Sequence, residues 1–138
     1  MNPPGALLDT GPLVALLSQR DAAHARARRL FASCQPPLRC CEAVLAEACF
    51  LIRKVDPAGP AEVLALARRG VFDISLSLGG HWASVEALLR KYADRPISLA
   101  DACLIRCAEV HEEARILTFD DDFSVYRWAK RRKFQTLS

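Results

Sequence analysis

The stretch Leu7-Leu8-Asp9-Thr10-Gly11-Pro12-Leu13-Val14-Ala15-Leu16-Leu17 places one carboxylate between two apolar runs. Proline is favoured in the first turn of a helix, and threonine or glycine is favoured just before it. The second run, 13–17, is therefore predicted to be helical, whereas the first is short enough for a buried strand. The stretch predicts a strand, a tight turn that carries Asp9, and a helix.

Further short apolar segments alternate with amphipathic segments along the rest of the chain. Continuous apolar runs bounded by turn residues are typical of buried strands in parallel sheets, which helices connect. The pattern favours an α/β fold in layers around a mainly parallel sheet. We predict further strands at 38–40, 71–74, 115–119 and 134–137, and helices at 22–32, 42–54, 61–69, 81–92, 98–112 and 124–132.

Length and composition indicate a single globular domain over 1–138. The chain has 138 residues, of which 51% are hydrophobic and 25% are charged, and this balance excludes a disordered chain. Its apolar runs are far shorter than the roughly 20 residues that cross a bilayer, and its first residues lack the pattern of an export signal. We therefore expect a cytoplasmic protein without a membrane span.

Six cysteines occur without a Cys-x-x-Cys pair. In a cytoplasmic protein such residues act mostly as small buried apolar side chains rather than as disulfides. Cys103, Cys107 and His111 fall four residues apart on one predicted helix, but that row is about 12 Å long, which is too long for one metal ion. We predict buried free thiols.

The net charge is +3, from 19 Lys and Arg against 16 Asp and Glu. A basic cluster lies near the carboxyl terminus, at Arg127, Lys130, Arg131, Arg132 and Lys133. If metal ions neutralise part of the acidic set, the remaining surface is strongly positive and attracts phosphate backbones. A solvated helix face is the structural alternative for this cluster.

Four acidic residues stand at positions that a parallel sheet brings together. Asp9 and Asp120 follow predicted strands, and Asp101 lies in the first turn of a predicted helix. Glu47 has only apolar neighbours three and four residues away on its helix, and these point its side chain toward the core. Because ligands of such folds bind outside the carboxyl ends of the strands, we expect the four side chains at one sheet edge.

Each acid has a structural alternative when it is taken alone. Asp9 could bond the backbone of its own turn, Asp101 could cap its helix, and Glu47 could form a buried salt bridge. Together they offer only oxygen ligands, which suit Mg²⁺ or Mn²⁺, and the three histidines are not placed to join them. Such an ion beside a basic surface is typical of phosphodiester hydrolysis.

These motifs resemble the PIN domain, and most closely its VapC-like branch, the toxins of VapBC toxin–antitoxin pairs. The resemblance spans essentially the whole chain. It is carried by residues 7–17, by Glu47 on its apolar helix, by residues 92–102 and by residues 117–123. Each motif is weak alone, and the four in this order are specific.

The resemblance implies a three-layer α/β/α sandwich around a five-stranded parallel sheet and a Mg²⁺- or Mn²⁺-dependent endoribonuclease. It implies that an acidic quartet is catalytic and binds the metal, that one further acid joins the metal site, and that two hydroxyl residues support them. Asp121 matches a variable position and is expected to be solvated. The implied quartet is Asp9, Glu47, Asp101 and Asp120, the further acid is Asp122, and the hydroxyl residues are Thr10 and Thr118.

The resemblance also implies RNA as the substrate, a VapB-like antitoxin as the inhibiting partner, and a homodimer. We place part of the RNA-binding surface on the predicted helix at 124–132, at Arg127, Lys130, Arg131 and Arg132. The alternative is a non-catalytic module of the same fold that binds nucleic acid or a partner protein. Cleavage of RNA with Mg²⁺ and with EDTA distinguishes the two.

Overall fold

Short parallel strands form the central sheet of the computed structural model, which describes residues 2–138. The sheet has five strands in the order β3-β2-β1-β4-β7, and β5 and β6 pair as a separate antiparallel hairpin. Within the described residues the strands are β1 (Leu7–Leu8), β2 (Leu38–Cys40), β3 (Phe72–Ile74), β4 (Arg115–Leu117), β5 (Arg127–Trp128), β6 (Arg132–Lys133) and β7 (Gln135–Leu137).

Helices lie on both sides of this sheet, which confirms the predicted α/β fold around a parallel five-stranded sheet. Short 3-10 turns at Leu78–Gly80 and Asp121–Ser124 complete the regular structure of residues 2–138. The helices in this range are α1 (Thr10–Leu17), α2 (His24–Ala32), α3 (Glu42–Arg53), α4 (Gly59–Arg68), α5 (Trp82–Lys91) and α6 (Leu99–His111).

The strand order reverses at the centre of the sheet, next to β1. The chain runs from β1 to β2 and β3 on one side, and it returns to β4 and β7 on the other. Such a reversal opens a crevice outside the carboxyl ends of the two strands that flank it, here β1 and β4. Asp9 follows β1, and its backbone N–H donates to the Leu117 carbonyl at 3.0 Å. Asp9 and Thr118 are therefore neighbours at the crevice.

The cysteines contribute to an apolar core, as predicted. All six are free thiols; five are buried, and Cys49 is partly buried. No Cys and His group that could hold a metal ion occurs within residues 2–138. In the same range, none of the helices combines the length and the apolar character that a membrane span requires.

Apart from one helix, the predicted elements end within two residues of the observed bounds. The start of α4, predicted at 61, lies at Gly59, because Pro60 is favoured in the first turn of the helix and does not end it. Gly59 also allows α4 to approach α3 closely. A Cβ atom at Gly59 would lie 2.6 Å from Cγ1 of Ile52, which is well inside van der Waals contact. The missing side chain thus sets the packing distance between the two helices.

The predicted basic helix at 124–132 is wrong. The hairpin of β5 and β6 occupies most of this segment because Tyr126 and Trp128 are both buried, as alternate residues of an extended chain are when one face packs on the core. Ala129 and Lys130 then reverse the chain with φ values of 47° and 74°. The alternation of aromatic residues was the available signal, and the run of basic residues obscured it.

Replacing Gly59 with alanine should lower the free energy of unfolding by about 1–3 kcal/mol, as overpacking typically does. Alanine ordinarily stabilises a helix more than glycine does, but here its Cβ would meet the buried, β-branched Ile52. Urea unfolding measures the change. Gly79→Ala is the control, because nothing lies within 4 Å of a Cβ at Gly79. A Gly59→Ala protein as stable as the wild type would contradict this packing.

Candidate active site

The predicted acids line one cleft of about 740 Å³ at the carboxyl ends of β1 and β4. They come from four segments that are far apart in the sequence: the end of β1, helix α3, the first turn of α6, and the turn after β4. The structure therefore brings the predicted quartet together at one edge of the sheet. The acidic side chains that line the cleft are Asp9, Glu47, Asp101, Asp120, Asp121 and Asp122.

Asp9 is the most constrained of these acids. It is only 7% exposed, and it caps helix α1 by accepting a hydrogen bond at Oδ1 from the Thr10 N–H at 2.8 Å. Its Oδ2 accepts a second bond from the Thr118 hydroxyl at 2.7 Å. Burial, together with the charges of Asp101 and Asp120, raises the pKa of Asp9 to about 6 despite these two hydrogen bonds. Asp9 therefore both caps α1 and lines the cleft.

Thr118 connects the first and the fourth acid. Its side chain is 2% exposed, and its hydroxyl both donates to Asp9 and accepts from the Asp120 N–H at 3.0 Å. One hydroxyl at the end of β4 therefore orients Asp9 and holds the backbone of the turn that carries Asp120. Asp120 itself is exposed, and its Oδ1 accepts from the Asp122 N–H at 2.9 Å.

Asp101 is held by a residue that the sequence analysis missed. Ser98 caps α6 by accepting from the Asp101 N–H at 3.0 Å, while the Tyr126 hydroxyl donates to Asp101 Oδ2 at 3.0 Å. Tyr126 is fully buried and packs edge-on against Tyr92 and Phe123. Burial raises the pKa of Asp101, and the bonds from Tyr126 and Ser98 oppose this. Tyr126 lies in the segment that was predicted to be helical, and a helix there gave no reason to place its hydroxyl near Asp101.

Glu47 lies at the wall of the cleft, and the prediction that it points into the core is wrong. Its helix neighbours Phe50 and Leu51 are 65% and 38% exposed, whereas Val44 is buried, so Glu47 lies at the boundary between core and surface. Glu47 is half-buried, and its Oε2 accepts from the Thr10 hydroxyl at 3.4 Å, a long hydrogen bond. Apolar neighbours indicated a semi-exposed patch here, which a helix pattern alone does not distinguish from core.

In the acidic turn after β4, one aspartate faces solvent and another forms an ion pair. Asp121 is exposed, as expected. Asp122 is partly buried and pairs with Arg95 at 3.3 Å. Arg95 was not singled out by the sequence analysis, and its pairing leaves Asp122 partly neutralised beside the cleft.

The carboxyl-terminal basic residues do not line the cleft. Arg127 donates from Nη1 to the backbone carbonyls of residues 124–126. Arg132 lies over the Trp128 ring, 4.9 Å from its centroid, while Lys130 and Arg131 are exposed at the hairpin turn. RNA binding by these residues stays a prediction, now for a hairpin rather than a helix.

The donor chemistry of the cleft fits a hard divalent cation. Its acidic side chains provide carboxylate oxygens, and among residues 2–138 neither histidine nor cysteine lines it. As the side chains stand, no three Asp, Glu, His or Cys residues of the described range lie close enough to hold an ion. Holding an ion would therefore require the carboxylates to move closer together.

The metal-free protein should lose stability as the pH rises from about 4 to about 7. The pKa of Asp9 is about 6 in the folded chain against an ordinary value of 3.8, so the folded state binds the proton more tightly and deprotonation favours unfolding. The full loss is about 2–3 kcal/mol at most. Asp9→Asn should remove much of this pH dependence in urea unfolding with EDTA present.

Asp94→Asn is the control for this measurement, because Asp94 is an exposed carboxylate that does not line the cleft. It should leave the pH profile unchanged. If Asp9→Asn keeps the wild-type slope between these pH values, Asp9 is not the destabilising charge.

Solved structures with this fold include bacterial toxins. VapC20 of Mycobacterium tuberculosis, a toxin that cleaves the sarcin–ricin loop, is 23% identical over 90% of this chain and 94% of that chain, with a TM-score of 0.67. A toxin–antitoxin complex from Klebsiella pneumoniae is 22% identical over 85% and 88% of the two chains, with a TM-score of 0.63. VapBC2 from Rickettsia felis, bound to a promoter DNA fragment, is 12% identical over 100% of both chains, with a TM-score of 0.60.

No curated protein sequence matches this chain at a significant level. A sequence model of the PIN domain, in contrast, matches residues 6–129. This range contains the acidic quartet and the motifs that carry the predicted resemblance. The chain belongs to the PIN domain family.

Proposed function

We propose that this protein is a divalent-metal-dependent endoribonuclease that hydrolyses RNA phosphodiester bonds. The observation that carries the proposal is the meeting of four carboxylates from four distant segments in one cleft, with Asp9 buried and its pKa raised. Such an arrangement costs stability and is typical of a site that awaits a cation. The PIN domain match and the similarity of the fold to an RNA-cleaving toxin support the choice of reaction.

Asp9, Glu47, Asp101 and Asp120 would hold Mg²⁺ or Mn²⁺, with Asp122 as an additional ligand. When bound, the ion lowers the pKa of water for attack and compensates charge on the scissile phosphate. Thr118 fixes the Asp9 carboxylate by its hydrogen bond, and Thr10 supports Glu47 in the same way. These bonds orient the acids before the substrate arrives, which is how residues behind a metal site tune it.

We further propose that the protein is the toxin of a toxin–antitoxin pair. Two of the similar structures are described as toxin–antitoxin assemblies, which supports a VapB-like antitoxin that inhibits the nuclease. A homodimer, which the family resemblance implies, and a cytoplasmic location belong to the same proposal.

The nuclease proposal predicts cleavage of a structured RNA with Mg²⁺ or Mn²⁺ and none with EDTA. Asp101→Asn should lower kcat/KM by at least about a hundredfold, since loss of a ligand exceeds the usual cost of losing a supporting residue. Asp94→Asn serves as the control and should cleave normally. Gel analysis of ribosomal and transfer RNA measures both.

Two outcomes would overturn this proposal in different ways. Cleavage that persists unchanged in chelated buffer would exclude the metal mechanism. Absence of cleavage of any RNA, together with RNA binding that Asp9→Asn leaves intact, would favour the non-catalytic binding module instead.

Tyr126→Phe should weaken Mn²⁺ binding and lower kcat about tenfold, because Asp101 loses the hydrogen bond that orients it. The phenyl ring keeps the edge-on contacts with Tyr92 and Phe123. Isothermal titration with Mn²⁺ and cleavage kinetics measure the two effects.

Tyr92→Phe is the matched control, because the Tyr92 hydroxyl accepts from the Arg127 N–H at 2.9 Å and does not touch Asp101. Removing the Tyr92 hydroxyl should lower the free energy of unfolding by about 1–2 kcal/mol, which is similar to the effect of removing the Tyr126 hydroxyl. It should leave Mn²⁺ affinity unchanged. Equal effects of the two substitutions on Mn²⁺ affinity would mean that Tyr126 acts only through stability.

A further inference from the structure

A second, smaller cavity of about 90 Å³ adjoins the acidic cleft. Phe119, Asp120 and Asp121 line both cavities, so the smaller cavity lies directly beside the cleft. Arg26 of helix α2 contributes to its wall, as do Thr136 and Ser138 at the end of the chain. A cation from a distant helix thus stands next to the acidic cleft.

Arg26 is held in place by an aromatic ring. Its guanidinium carbon lies 4.3 Å from the centroid of the Phe119 ring, which is a cation–π contact. Arg26 is exposed, and it takes part in none of the ion pairs found within residues 2–138. The ring therefore positions the guanidinium while its N–H groups are left for a ligand.

The charge of the cleft indicates what this ligand is. A row of carboxylates repels an RNA backbone, which carries a negative charge at each nucleotide. A divalent ion can neutralise the phosphate at the point of cleavage, but the neighbouring phosphate then faces uncompensated acids. Arg95 is already paired with Asp122 of the same acidic turn. Arg26 has the planar, fixed donors that suit a phosphate group.

We propose that Arg26, held on Phe119, binds the RNA phosphate next to the scissile one. This inference rests on the proposed nuclease function and adds a substrate-binding residue to it. Arg26 positions the strand beside the acids and takes no part in bond cleavage. Phe119 acts through Arg26, because its ring lies under the guanidinium.

The first test measures binding of a short, fluorescein-labelled, random-sequence RNA by fluorescence anisotropy with Mg²⁺ present. Contacts to phosphate do not depend on sequence, so random RNA is a suitable probe. The measurement uses the Asp101→Asn protein to prevent cleavage. Adding Arg26→Ala should raise Kd about fivefold to tenfold, and it should reduce the slope of log Kd against log salt by about 0.7, as expected for one lost phosphate contact.

Arg28→Ala is the matched control, because Arg28 is an exposed arginine of the same helix that lines neither cavity. It should change Kd by less than about twofold. The Kd of Arg26→Lys should lie between that of the protein with Arg26 and that of Arg26→Ala, since lysine keeps the charge and loses the planar group. In the chain with Asp101 intact, Arg26→Ala should raise KM for cleavage and leave kcat nearly unchanged.

The possible failures are distinguishable. If RNA is cleaved normally and Arg26→Ala behaves like Arg28→Ala in both assays, this inference is overturned and the nuclease function stands. If Arg26→Ala instead changes Mn²⁺ affinity, Arg26 acts on the charge of the acids and not on RNA, which also overturns it. If the unmodified protein neither binds nor cleaves RNA, the proposed function fails and this inference fails with it.

Discussion

The hydrogen bond from Thr118 to Asp9 joins the ends of the two central strands at the point where the strand order reverses. It is 2.7 Å long and buried, and its donor also accepts from the backbone of Asp120. A hydrogen bond to a charged group is among the stronger ones in a protein. It fixes Asp9 and the turn that carries Asp120 relative to each other, although their charges repel one another. The relative position of the first and the fourth acid depends on this contact.

The cost of that geometry explains several other features of the molecule. Burial desolvates Asp9 and raises its pKa, and the negative charges of Asp101 and Asp120 raise this pKa further. The fold compensates with supports behind three of the acids: a helix cap and a hydroxyl for Asp9, a buried tyrosine for Asp101, and an arginine for Asp122. Proteins commonly retain such locally unfavourable charge where function requires it. Two of the supports, Thr118 and Tyr126, are buried side chains, which close packing holds in place.

Much of the fold could be predicted from the sequence because its signals are local. Short apolar strands and the proline and glycine at the start of a helix are signals between neighbouring residues, and such signals predicted most elements to within two residues. The meeting of Asp9, Glu47, Asp101 and Asp120 also followed, since parallel strands present their carboxyl ends at one edge.

What could not be predicted depends on contacts between distant segments. The hairpin after residue 126 forms because Tyr126 and Trp128 find buried places against the rest of the chain, which a count of basic residues does not reveal. The same contact brings the Tyr126 hydroxyl to Asp101 across 25 positions of sequence. Glu47 faces the cleft rather than the core because its side of α3 is left partly uncovered, and an apolar helix face does not say what covers it.

The most direct test of the central claim is a crystal structure of the protein soaked with Mn²⁺, with the ion located by its anomalous scattering. We predict a peak in the cleft within coordination distance of carboxylate oxygens of Asp9 and at least one of Asp101 and Asp120, with the Thr118 bond to Asp9 retained. Manganese bound only elsewhere, or an empty cleft at saturating Mn²⁺, would contradict the account.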